Sequence, residues 1–193
     1  MLGRHQMENR KGTVSKPDKR EAAVCGLFCP SCSIYIGTKE DPERLKKLAR
    51  GFNVSVNEME CEGCRSDKRI GYCRTCKMAK CSSEKGIDFC GACEDYPCED
   101  LKQFQAVLPH RIELWKSQER IKEAGYEKWY AEMVKHYTCP QCGTLNSAYD
   151  MTCRKCGLTP SCAYVGLNQH EIINRLSDMS KAVKALSQSK RLL

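Results

Sequence analysis

Residues 61–98 read CEGCRSDKRIGYCRTCKMAKCSSEKGIDFCGACEDYPC and place cysteines at 61, 64, 73, 76, 81, 90, 93 and 98. A stretch so dense in thiols and so poor in large apolar side chains cannot organise itself by burying hydrocarbon. Whatever the thiols bind must supply the missing stability. The spacing carries a near-repeat: Cys64, Cys73, Cys76 and Cys81 map onto Cys81, Cys90, Cys93 and Cys98 by a shift of 17 residues. Eight thiolates suit two four-thiolate sites. Filled in chain order these are Cys61, Cys64, Cys73 and Cys76, then Cys81, Cys90, Cys93 and Cys98; interleaved pairings satisfy the same count, and spacing alone leaves both open.

Towards the N-terminus, Cys25, Cys29 and Cys32 form a C-x-x-x-C-x-x-C run. That spacing is the cluster signature of radical S-adenosylmethionine enzymes, but no strand–helix alternation follows Cys32 to build their barrel, so the assignment is rejected. Towards the C-terminus stand two C-x-x-C-G knuckles, Cys139-Pro140-Gln141-Cys142-Gly143 and Cys153-Arg154-Lys155-Cys156-Gly157. Each knuckle is a tight turn aiming two thiolates at one ion, with glycine supplying the positive φ of the turn. The pair predicts a small zinc ribbon with a structural zinc. The expected metal ligands are therefore Cys25, Cys29, Cys32, Cys61, Cys64, Cys73, Cys76, Cys81, Cys90, Cys93, Cys98, Cys139, Cys142, Cys153 and Cys156. Cys162 is left over. It is either the fourth ligand of the Cys25, Cys29 and Cys32 set, or that set keeps an open position.

Composition narrows the class. Apart from its 16 cysteines, roughly a third of the 193-residue chain is hydrophobic, and no apolar run approaches the length that spans a bilayer. Residues 1–24 carry Arg4, Arg10, Lys11, Lys16, Lys19 and Arg20 without the apolar segment of a secretory signal, which predicts a cytoplasmic protein with reduced thiols. The formal charge of +8 treats each thiol as neutral. A divalent ion held by four thiolates is a −2 unit, so three such sites bring the charge down to about +2, and the basic balance argues little for nucleic acid. The basic excess lies in the two ends of the chain, and Arg154 and Lys155 are candidate phosphate contacts. No phosphate loop, dinucleotide loop, H-E-x-x-H or G-x-S-x-G motif is found, and His5, His110, His136 and His170 are too scattered for a catalytic cluster.

Helix signals separate the metal knuckles. Asp41, Pro42, Leu45, Leu48 and Gly51 mark the cap, first turn, apolar face and end of one helix, and Ser55 to Glu58 is a capping box. Between 99 and 137, Phe104, Val107, Leu108, Ile112, Trp115, Ile121, Trp129, Met133 and Val134 recur near helical period, which predicts two or three amphipathic helices with both tryptophans in the core. Near the end, Asn168 caps a helix whose Ile172, Leu176, Met179, Val183 and Leu186 form a short seam that packs on the 99–137 helices or on another chain. The expected fold class is a small metal-stabilised α+β protein. It comprises a flexible basic arm (1–21), a cysteine-rich knuckle domain with trailing helices (22–137), a zinc ribbon (138–160), and a linker with an amphipathic helix (161–193).

The order Cys25-Gly26-Leu27-x-Cys29-x-x-Cys32, Cys61-x-Gly63-Cys64, Cys76-x4-Cys81, Cys90-x-x-Cys93 and Tyr96-Pro97-Cys98-Glu99 resembles a cysteine-rich domain of unknown function common in anaerobic bacteria and archaea. The resemblance spans about residues 22 to 105. It implies a metal binder without an established reaction, and an anaerobic source that favours iron–sulfur clusters.

The reading that follows is a cytoplasmic zinc-binding protein without catalysis of its own, an adaptor that meets a protein partner through the 170–186 helix. Two alternatives are an iron–sulfur redox or cluster-carrying protein, with zinc or a cluster held by residues 25–98, and a nucleic-acid-binding ribbon protein. Elemental analysis of protein purified without oxygen is expected to give roughly three or more metal-equivalents per chain, as three four-thiolate sites require. A value near one removes the metal-core account of residues 25–98.

Overall fold

The computed structural model describes residues 17–189, with side chains to Lys184. The basic arm expected over 1–21 therefore falls outside the described residues up to position 16, and Leu186 of the expected seam falls outside the described side chains. About 60% of the structure is helical, and no strand occurs among the described residues. The expected α+β class and the zinc ribbon are both overturned. Where a ribbon needs hairpin ladders there are two isolated bridges, Ala22 with Phe28 and Thr138 with Leu145. The reason lies in the spacer between the C-terminal knuckles. Asn146 Nδ2 donates to Thr144 O, Ser147 N to Asp150 Oδ2, and Tyr149 N to Ser147 Oγ. These short polar side chains satisfy the backbone locally and leave no ladder to form.

The helices are α1 (Ser33–Lys39), α2 (Pro42–Phe52), α3 (Val56–Met59), α4 (Gly71–Arg74), α5 (Lys77–Glu84), α6 (Glu99–Val107), α7 (Leu114–Ala124), α8 (Tyr126–Tyr137) and α9 (Ala163–Ser189). Their ends follow local chemistry. Asp41 accepts from Arg44 N at the start of α2, Pro42 takes the first position, and the helix stops at Asn53 in the left-handed region, two residues past the expected glycine. Ser55 and Glu58 cap α3 reciprocally, as the sequence predicts. α9 begins at Ala163, five residues before the expected cap. Asn168 lies inside it, and its Nδ2 donates to Tyr164 O and Glu113 Oε1.

Three apolar clusters hold these elements together, the smallest being Leu45, Ala49 and Met59 between α2 and α3. One gathers Phe28, Phe89, Ile121, Trp129, Tyr137, Tyr164, Val165 and Ile172, so two phenylalanines from within the cysteine region meet α7, α8 and α9. Phe28 meets Trp129 and Tyr130 edge-on, with centroids 6.0 and 5.0 Å apart, and stacks on Tyr137, which stacks on Tyr164 at 4.7 Å. The second cluster joins Ala23, Val24, Cys25, Met78, Leu101 and Leu114, with Tyr96, Phe104 and Trp115 packed against it. Trp129 is fully buried, as expected of a core residue, and Trp115 is half-buried, packed against the second cluster edge-on to Tyr96.

The start of the expected C-terminal seam packs against the chain itself. Ile172 is fully buried and Leu176 packs on the first cluster, whereas Val183 is exposed. Polar contacts fasten the same helix. Glu113, just ahead of α7, accepts from Asn168 and pairs with His136 at 2.7 Å. Burial works against its charge, but the hydrogen bonds from His136 and Asn168 outweigh it and hold the Glu113 carboxyl below the ordinary carboxylate range.

Two outcomes follow. Ile172→Ala is expected to cost about 2–5 kcal/mol in chemical denaturation, against about 0.5 kcal/mol or less for Val183→Ala. Because the Glu113 pKa is depressed by folding, its contribution is present above the unfolded value and is lost as the pH falls through the folded one. Glu113→Gln should therefore flatten the acid side of a melting temperature–pH curve, and an unchanged slope removes the carboxylate's role.

Candidate metal centre

The C-terminal knuckles are built alike. Cys139 N donates to Thr144 O and Gly143 N to Cys139 O, and fourteen residues on Cys153 N donates to Leu158 O and Gly157 N to Cys153 O. Gly143 and Gly157 take φ of 71° and 77°, the left-handed turn that the sequence assigns them. The matched loops bring the ligand atoms of Cys139, Cys142, Cys153 and Cys156 within 4.8 Å of one another, the one such group found among the described residues. Cys139 Sγ lies 3.6 Å from Cys156 Sγ, and Cys142 Sγ 3.6 Å from Cys153 Sγ. Sulfurs about 2.3 Å from one tetrahedral ion stand about 3.8 Å apart, whereas a disulfide brings them to about 2.0 Å. The spacing fits a tetrahedral ion, and all four cysteines are free.

The electrostatics also suit a cation. Burial opposes charge on Cys153, but the N–H groups of Cys156 and Lys155 and the Asn146 amide draw its pKa down to about 6. The Leu158 N–H favours a Cys156 thiolate, yet burial and the thiols of Cys142, Cys139 and Cys153 push it up to about 12. Four thiolates in this space repel one another until a positive ion neutralises them. Asn146 is the residue sequence reasoning missed. Fully buried, it donates to Thr144 O, Ser161 O and Cys153 Sγ and accepts from Arg154 N, so one carboxamide spans both knuckles and the entry to α9.

This unit is fastened to the N-terminal helices. Arg44 of α2 forms a bidentate pair with Asp150, Ser33 Oγ donates to Ser147 Oγ, and Arg154 pairs with Glu40 while donating to Leu145 O. Arg154, a candidate phosphate contact in the sequence, is thus engaged within the protein. His136 is engaged with Glu113. Cys162 lies in the aromatic cluster, whereas Cys25 lies in the second one.

The eleven cysteines of residues 25–98 are more dispersed. Cys29, Cys64, Cys76 and Cys90 pack against the cluster that contains Cys25. Cys81, Cys90, Cys93 and Cys98 line one cavity. Burial is the first cause that pushes Cys73 up to about 12, and the thiols of Cys61 and Cys32 are the next. Two local features recur here. Phe28-Cys29-x-x-Cys32 and Phe89-Cys90-x-x-Cys93 both fold as a 3-10 turn in which the second cysteine's N–H donates to the first cysteine's carbonyl, at 2.9 and 3.0 Å. The doubled F-C-x-x-C is readable in the sequence once both phenylalanines are given weight.

Gln118 on α7, 1% exposed, joins the loops that carry these turns. Its Nε2 donates to Val24 O at 3.0 Å and its Oε1 accepts from Gly91 N at 2.7 Å, while Cys90 N donates to the same Val24 carbonyl. A side chain at position 91 would start 2.7 Å from Gln118 Oε1, so glycine is required for the close approach. Gln118→Leu leaves a buried N–H without a partner and is expected to cost about 1–3 kcal/mol. Alkylation of Cys25 and Cys90 in the folded protein should accelerate with it, and an unaltered rate would show that the two loops hold without the clamp.

No curated protein and no solved structure matches the chain. Residues 21–103 match the model of a family described as a protein of unknown function, DUF3795, a span that takes in all eleven cysteines of the N-terminal half and ends within α6, outside the Cys139–Cys156 group.

Proposed function

We propose that the protein is a metal-stabilised, cysteine-rich scaffold in which Cys139, Cys142, Cys153 and Cys156 hold one zinc-type divalent ion. The observation that supports this most directly is the mutual approach of four free thiols, with two S···S separations of 3.6 Å. Zinc suits four soft thiolates in a tetrahedron and asks nothing of the protein in redox terms. The ion pins the two knuckle turns, and Asn146 and Ser161 relay that order to the start of α9. The role is conformational: the centre fixes the register of a segment that has no ladder and reaches the first cluster through Leu145, Ala148, Tyr149 and Met151. A protein partner on the 170–186 helix would meet its outer side, where Ile173 and Val183 are exposed, because Ile172 is turned into the protein's own core.

The test is a paired measurement on the full chain. Cys142→Ser with Cys156→Ser should lower the metal content by one equivalent and open residues 138–160 to limited proteolysis. Wild-type protein stripped by a strong chelator should show the same cleavage. Unchanged metal content in the double variant defeats the proposal, as does unchanged protease resistance after verified metal removal.

A further inference from the structure

We propose that Cys81, Cys90, Cys93 and Cys98 form a second divalent-metal site, on the surface between α5 and α6, from which the ion exchanges more readily than from the C-terminal centre. The residues come from three successive pieces of chain. Cys81 stands on α5, Cys90 opens the 3-10 turn, Cys93 closes it, and Cys98 caps α6. All four line one cavity of about 50 Å³, together with Met78, Leu101 and Tyr96. The C-terminal centre has its sulfurs already together; here the thiols surround a space, and the exposed Cys81 and Cys98 are free to rotate about χ1 towards it.

The setting is matched to charge. Closing four thiolates on a divalent ion releases four protons and leaves a −2 unit. Lys85 lies against the site, its Nζ donating to Cys93 Sγ at 3.2 Å and to Asp95 Oδ2 at 2.6 Å, and Lys77 lines the same cavity while paired with Asp100 at 2.8 Å. An N–H donor on a metal-bound thiolate is a familiar outer-sphere support. The hydrophobic floor, Met78 and Leu101, is buried and belongs to the cluster that contains Cys25, so the base of the site is apolar, and the adjoining turn is held by Gln118 through Gly91. Its rim is open: Cys81 and Cys98 are exposed and Cys90 and Cys93 half-buried, whereas two ligands of the C-terminal centre, Cys139 and Cys153, are buried. A competing thiol or chelator therefore reaches this ion first.

The site shares no ligand with Cys139, Cys142, Cys153 and Cys156, so the two assignments stand or fall separately. Full-length protein reconstituted with cadmium under reducing conditions and observed by cadmium NMR should show a four-thiolate resonance that disappears in Cys93→Ser with Cys98→Ser and persists in Cys142→Ser with Cys156→Ser. Because a variant can fail to fold, the wild-type protein carries a second arm. Zinc-loaded chain is titrated with a chelator while each cysteine's alkylation is followed by peptide mass spectrometry. Cys81, Cys90, Cys93 and Cys98 should be protected together at the start and lose protection together, before Cys139, Cys142, Cys153 and Cys156. Alkylation of these four at the metal-free rate in zinc-loaded protein overturns the site. Release after or together with the C-terminal centre overturns the order of exchange.

Discussion

A single carboxamide ties the molecule together. Gln118 sits almost wholly out of water on α7 with its nitrogen on the Val24 carbonyl and its oxygen on the Gly91 amide. It fixes two thiol-bearing loops at points 67 residues apart in the chain, and neither loop has a strand or helix of useful length to hold its own backbone. A buried amide that is satisfied at both ends rigidifies, and the same amide half-satisfied costs more than an apolar side chain in its place. The arrangement of the N-terminal cysteines is therefore set by a helix that contains none. α7 is in turn held by Ile121 in the aromatic cluster and Leu114 in the other, so packing on both sides bears on where the thiols stand.

Phe28 and Cys29 show the same division at the scale of one peptide bond. Phe28 belongs to the aromatic cluster with Trp129, Tyr137 and Tyr164, and Cys29 packs against the cluster around Cys25. The chain crosses from one core to the other at the first C-x-x-C turn, and Glu21 just upstream accepts hydrogen bonds from both Tyr35 and Tyr130. Neither core is large. A third, smaller cluster around Leu45, Ala49 and Met59 buries part of the remainder, and residues 61–77 and 139–160, which reach the cores through few side chains, lean also on thiols and side-chain–backbone hydrogen bonds. Ser66 illustrates the latter, its hydroxyl donating to the carbonyls of Gly63 and Lys68.

What was legible in the sequence was local. The Asp41-Pro42 start, the Ser55 capping box and the helical period of 99–137 each follow from contacts within a few residues, and each appears where the pattern puts it. The C-terminal thiol cluster was legible for the same reason, since two C-x-x-C-G turns specify their own geometry. The ribbon failed because ladder formation depends on what else the spacer can bond to, and Asn146, Ser147 and Asp150 offer nearer partners than a facing strand. The start of α9 was placed late because Asn168 has two acceptors within reach, Tyr164 and Glu113, and the second stands just ahead of α7, far away in the chain. Gln118 left no mark on the sequence: a glutamine inside an amphipathic helix reads as solvent-facing until the loops it joins are in place.

The two tryptophans fall on opposite sides of this division. Trp129 stands fully buried among Phe28, Tyr137 and Tyr164, and Trp115 stands beside Tyr96 at the edge of the cavity lined by Cys81, Cys90, Cys93 and Cys98. Each of the two larger clusters thus carries one tryptophan, and replacing either by phenylalanine leaves a chain whose tryptophan emission reports on the other cluster alone. Loss of order around the N-terminal thiols and loss of order around α9 become separable optical signals in the same molecule, without a label.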